Sequence, residues 1–165
     1  MRRWFWSGAV LAVWAGSAAA QQGWEFYADD AGNRGAAVCP IATASDFLCF
    51  EIGCTDDGGL DFVIAAPSGR LPERPLQMAL AVDGRAVAQV SLQPRGAMGT
   101  QSEYRAPVGA AGQAALRALE LGGAADVTLQ SDDFRRVLSF DLTGSMQTIA
   151  QARADCAGQP VNPRD

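Results

Sequence analysis

The sequence of 165 residues contains no histidine and no lysine; arginine carries all its positive side-chain charge. Without an imidazole there is no Ser-His-Asp or Cys-His nucleophile system, and the usual histidine metal sites are excluded. The net charge is −5, which argues against a nucleic-acid or anionic-membrane partner, both of which want a basic face. Also missing are a C-x-x-C pair, an internal repeat, a linker dividing two domains and an apolar run long enough to span a bilayer, for which about 20 residues are needed. No cofactor is expected.

The most informative stretch is the beginning. Met1-Arg2-Arg3 is a basic start, Trp4 to Ala15 is a short apolar core, and Ser17-Ala18-Ala19-Ala20 ends in small residues. That order predicts a cleavable signal peptide over 1–20, cut after Ala20 to leave Gln21 first. Its loss removes two arginines and leaves the chain two units more negative. The general secretory route is preferred over twin-arginine export, and no cysteine sits at the cut to take a lipid. The expected location is periplasmic or secreted, with no stable membrane insertion after cleavage.

All four cysteines, Cys39, Cys49, Cys54 and Cys156, follow the signal. An even count in an exported chain reads as a disulfide framework. Residues 47–54 read as a strand. Five extended steps separate Cys49 from Cys54 by about 17 Å and turn their side chains to opposite faces, so those two cannot pair. Of the two remaining connectivities, Cys39–Cys49 with Cys54–Cys156 is favoured, because it closes a short hairpin-like loop and ties the last helix to the sheet. A zinc site is the competing reading and lacks the spacing.

Short apolar runs alternate with turn signals. Strands are expected at 24–28, 36–39, 47–54, 60–66, 76–82, 85–92, 126–130 and 134–142. Asp83-Gly84 between two alternating runs predicts a two-residue hairpin turn, since both residues tolerate the positive φ of a type I′ turn. Gln93 to Val108, rich in glycine and proline, reads as a long irregular connection. Ala111–Leu121 reads as a helix stopped by a left-handed cap at Gly122-Gly123. Ser145 is the expected N-cap of a final helix whose inward stripe is Met146, Ile149, Ala150, Arg153 and Cys156. The sum is a mainly β domain over 21–156: an antiparallel β-sandwich or open barrel of about seven to eight strands, with a short internal helix and a C-terminal helix, stapled by disulfides. Residues 157–165 form a frayed tail.

The acidic pairs Asp29-Asp30, Asp56-Asp57 and Asp132-Asp133 fall in turns, where aspartate bonds the local backbone. The sharper reading of Asp56-Asp57 with Asp61 is a calcium site, which needs about 6–8 oxygens. A hydrolase built on two carboxylates requires two turn acids in one cleft. Of the aromatics, Trp24 is expected in the core, with at most one of Trp24 and Tyr27 facing inward. Tyr104, with Arg95 and Arg105 in the irregular segment, is the expected partner-binding group, since Tyr and Arg dominate interface hot spots. Arg135 and Arg136 fall on opposite faces of a strand, so one of them is expected to reach the rim or pair with an acid such as Asp132 or Asp133.

The layout resembles the invasion-associated locus B family of small bacterial periplasmic proteins. The shared features are Trp24, Cys39, the Cys49–Cys54 strand, the Val82-Asp83-Gly84 hairpin and the Leu116–Leu121 segment with its glycine stop. They end on Phe140-Asp141-Leu142-Thr143-Gly144-Ser145, which leads into a helix with Ile149 and Ala150. The resemblance implies a β-sandwich and a non-enzymatic role at the cell envelope or host surface, with no catalytic residue. The functional expectation is a binding domain for an unknown protein partner at the cell envelope. The alternative is a proteinaceous inhibitor of a basic cell-wall hydrolase such as lysozyme.

Overall fold

The computed structural model describes residues 23–30, 32–41, 46–98 and 100–158. The expected signal peptide and the residues from 159 on lie outside them. The strands are β1 (Glu25–Ala28), β2 (Arg34–Ile41), β3 (Leu48–Cys54), β4 (Leu60–Pro67), β5 (Leu76–Val82), β6 (Arg85–Met98), β7 (Gln101–Pro107), β8 (Ala124–Ser131) and β9 (Phe134–Asp141). Helix α1 (Gly109–Leu121) lies between β7 and β8, and α2 (Ser145–Ala157) follows β9.

All nine strands join one open antiparallel sheet in the order β1-β2-β3-β4-β7-β6-β5-β8-β9. The sheet does not close into a barrel, and one more strand is present than the seven to eight expected. The extra strand comes from 93–108, expected as an irregular connection. β6 runs on past Leu92, trading β5 for β7 as its partner, and β7 is the returning arm of that hairpin. The glycines and proline mislead because this half of β6 pairs on one side only. Pro94 sits opposite Tyr104 with no strand of the described residues paired beyond it, and a bulge between Pro94 and Ala97 absorbs Gly96.

The β5–β6 turn follows expectation: Asp83 and Gly84 have φ of 49° and 74°. The Asp83 carboxylate also accepts the N–H groups of Gly123 and Ala124, at 3.0 Å each, pinning the hairpin tip to the end of α1. Gly122 ends α1 in an extended conformation (φ −82°, ψ 174°), not the expected left-handed one. Space is the reason for glycine there, since a Cβ would run into the Val82 side chain.

The sheet curls on itself around an apolar interior. Strand alternation sends Phe50, Ile52, Phe62, Ile64 and Tyr104 to this inner face. Trp24 lies in the core as expected, edge-on to Phe50 (6.1 Å) and Phe140 (5.9 Å), so residues near the two ends of the sheet meet. α2 buries Ser145, Thr148, Ile149, Ala152 and Cys156, a stripe rotated from the expected one, with Met146, Ala150 and Arg153 in solvent. Gly144 (φ 85°) occupies the N-cap, and the Ser145 hydroxyl donates instead to the Leu119 carbonyl at 2.7 Å, locking α2 to α1.

Both favoured disulfides are formed, Cys39–Cys49 and Cys54–Cys156. The first spans a bulge between β2 and β3. The second anchors α2 to β3 across 102 residues. Among the described residues no helix is long and apolar enough to cross a membrane.

Candidate functional site

The outer face of β1–β4 and β7 would ordinarily be solvent-facing and polar. Here the alternation places Tyr27, Glu51, Asp61, Glu103 and Arg105 on it, directed away from the aromatic core. Register brings them together. Glu51 lies beside Val63, and Val63 beside Arg105; one row over, Tyr27, Gly35, Gly53 and Asp61 line up across β1 to β4. The two glycines matter: a Cβ on Gly35 would stand 2.9 Å from the Tyr27 hydroxyl oxygen, and one on Gly53 3.5 Å from it. The missing side chains let the Tyr27 phenol lie flat over two strands and donate to Glu51 Oε2 at 2.8 Å.

Arg105 is held from three sides. Its Nε and Nη2 contact Glu103 Oε2 at 3.0 and 2.9 Å, and Nη1 donates to the Cys54 carbonyl at 3.3 Å and stands 3.8 Å from Asp61 Oδ2. Only 15% of its side chain is exposed, and 5% of that of Asp61. Burial raises the pKa of Glu51, with Glu103 adding to the rise and the Tyr27 bond and Arg105 opposing it. Burial likewise raises that of Asp61 against the pull of Arg105 and Arg95. Burial and the neighbouring Glu51 push the Tyr27 phenol far above its usual range, so it stays a donor. Burial alone would lower the Arg105 pKa, but Glu103 and Asp61 more than offset this and the guanidinium stays charged.

Glu103 and Arg105 of this network also line an open polar cleft of about 260 Å³. Gly32 and Asn33 from the β1–β2 turn, Cys54, Thr55 and Asp56 from the end of β3 and its turn, and Arg95, Glu103 and Arg105 line it. Arg95 is exposed at the rim and makes no ion pair among the described residues.

The expected partner-binding trio therefore divides. Arg95 and Arg105 share the cleft, one free and one locked. Tyr104 points the other way, because an even step along β7 faces the core. It is 1% exposed, its hydroxyl donates to the Pro72 carbonyl at 2.9 Å, and it is a core residue. The calcium grouping also fails. Asp61 is buried against Arg105, Asp57 accepts from Thr55 within its own turn, and among the described residues no three potential ligand side chains converge on a metal position. Of the turn acids only Asp56 reaches the cleft, so no two of them share it. Asp133 pairs with Arg74, and Arg136 reaches Asp46 at 2.8 Å in place of the expected turn acids.

The Tyr27–Glu51 and Asp61–Arg105 pairs went unread in the sequence, although a signal existed. Glu51 and Asp61 are lone charges inside otherwise apolar strands, and Asp61 lies opposite Gly53. Comparison of the chain with protein-family models, curated proteins and solved structures finds no match.

Proposed function

We propose that the protein is a non-enzymatic binding domain of the periplasm or cell exterior, delivered by the N-terminal signal and presenting the Arg95 cleft to a protein partner at the cell envelope. The observation that carries this reading is how the charges are used. Tyr27 holds Glu51, and Arg105 holds Glu103 and Asp61, in a half-buried polar layer that fixes Glu103 and Arg105 in the wall of the cleft. Arg95 and Asp56 alone stand exposed at the rim, one of each sign. A partner offering a carboxylate to Arg95 and a cation or amide to Asp56 fits that pair, and rim charges of this kind set orientation and encounter rate. The two disulfides support an oxidising compartment.

In-cell crosslinking of the oxidised protein tests it. One dominant envelope protein is expected, lost on Arg95→Ala and Asp56→Ala and retained on Tyr104→Phe. Capture that ignores Arg95 and Asp56 refutes the cleft, and no capture above background refutes the stable-partner reading. The exposed Asp56 and the net negative charge also suit a basic cell-wall hydrolase as that partner. Undiminished lysis by lysozyme at excess protein removes that version.

A further inference from the structure

β9 is an edge of the sheet. It bonds β8 along its full length, and among the described residues no strand hydrogen-bonds to its other side, though the curl of the sheet brings β2 near it. The opposite edge, β1, has four residues; β9 has eight, with no proline and no register shift. Long regular edges are usually blunted, because their free N–H and C=O groups template pairing with another chain. The phase of those groups is fixed by a bond that extends the β8–β9 register, from the Leu142 N–H to the Gly123 carbonyl at 3.0 Å. Even-numbered residues of β9 thus turn their backbone toward β8. Arg135, Val137, Ser139 and Asp141 turn theirs outward. The side chains of the same four are exposed, Val137 at 45%.

We propose that this edge pairs with β9 of a second copy, antiparallel and centred on Leu138. Matching outward groups to outward groups leaves two registers that keep most of the strand. Centred on Leu138, Arg135 lies opposite Asp141 of the second copy twice over, by symmetry, and Val137 lies opposite Ser139 twice. Centred on Val137, Arg135 faces only Ser139, and Asp141 faces Asp133. Opposed like charges are unfavourable and opposed unlike charges favourable, so the sequence of β9 selects the Leu138 register. Arg135 is available for it, having no ion pair among the described residues. Asp141 spends Oδ1 on the Thr143 N–H at 2.9 Å and keeps Oδ2. The contact is isologous and closes at two copies. The paired molecule would end on both sides in the short β1, a poor template for further growth.

Sedimentation equilibrium on the periplasmically expressed chain, both disulfides formed, tests the pairing. A monomer–dimer equilibrium is expected. Arg135→Asp or Asp141→Arg alone should weaken it by about tenfold, since two symmetric pairs turn from attraction to repulsion, and the double reversal should restore it. Val137→Pro should abolish it with the monomer fold intact by circular dichroism, because the N–H it removes is not bonded to β8. If that variant unfolds, the charge-reversal series decides alone. A chain still monomeric at about 1 mM, or a dimer indifferent to the charge reversals, overturns the proposal.

Discussion

Replacing Arg105 by methionine keeps the length of the side chain over Gly53 and Val63 and removes its charge. Four polar contacts disappear: two to Glu103, one to the Cys54 carbonyl and the longer ion pair with Asp61. What stays behind costs more than what is lost. Glu103 and Asp61 are 16% and 5% exposed at the side chain and would keep their charges without a cation. Removing one partner of a fully buried ion pair costs about 3–5 kcal/mol, and partial exposure of Arg105 and Glu103 places this case at the low end, near 3 kcal/mol. Urea unfolding at neutral pH should show a lower midpoint at unchanged slope.

The pH dependence separates this account from simple loss of packing. In the variant Asp61 loses the guanidinium that opposes the effect of its burial, so its pKa in the folded state rises further above the unfolded one. A raised folded pKa means that the folded form takes up its proton first as pH falls, which favours folding. The deficit relative to the parent should therefore shrink from pH 8 to pH 5. A loss below about 1 kcal/mol, the scale of a surface ion pair, or a loss equal at both pH values would refute the assignment of Arg105 as the hub of a half-buried network.

Other consequences are as direct. Glu51→Gln should stabilise the protein at pH 8 and flatten its stability between pH 8 and pH 5, since the parent gains stability as pH falls through the raised Glu51 pKa; denaturation across that range reads it. Tyr27→Phe removes the hydroxyl that donates to Glu51 and should cost about 1–3 kcal/mol at pH 7 by urea unfolding, less at pH 5. The Cys54→Ser/Cys156→Ser double variant should lose about 4.7 kcal/mol and the Cys39→Ser/Cys49→Ser variant about 2.7, from loops of 102 and 10 residues, so chemical unfolding should rank them in that order. Tyr104→Phe should cost about 1 kcal/mol through the lost bond to Pro72 and leave partner capture unchanged.

The parts of the fold that the sequence displayed are those that depend on neighbours in the chain. Short apolar runs between turn signals marked eight of the nine strands, and Asp83-Gly84 announced its own turn because positive φ selects those residues. Counting steps between Cys49 and Cys54 excluded their pairing. The reading failed where a sequence feature has two physical causes. Glycine and proline in 93–108 suggested loop, but a half-free strand tolerates both. A glycine after α1 suggested a left-handed cap, but the constraint is the Val82 side chain, 40 residues earlier.

The cleft belongs to a third category, in which alternation gave the facing of each residue and nothing in the chain gave its company. Glu51 and Asp61 are on consecutive strands, and their shared outward face was within reach of the pattern. Arg105 arrives from a strand that follows a complete hairpin, β5–β6, and inserts beside β4 only because β6 bends from one partner to the other after Leu92. That bend is the least legible feature of the sequence, lying in the segment that resembles a loop. Yet it determines that the guanidinium meets Asp61 and the Cys54 carbonyl and that Arg95, ten residues earlier on the neighbouring strand, is left over at the rim. Had Gln93 to Val108 been the irregular connection its composition suggests, Tyr104 would have been exposed and Arg105 unpaired. Tyr104 is buried by the regular alternation of a strand through residues that do not look like one, and Arg95 is left at the rim where the bulge after Pro94 interrupts the neighbouring strand.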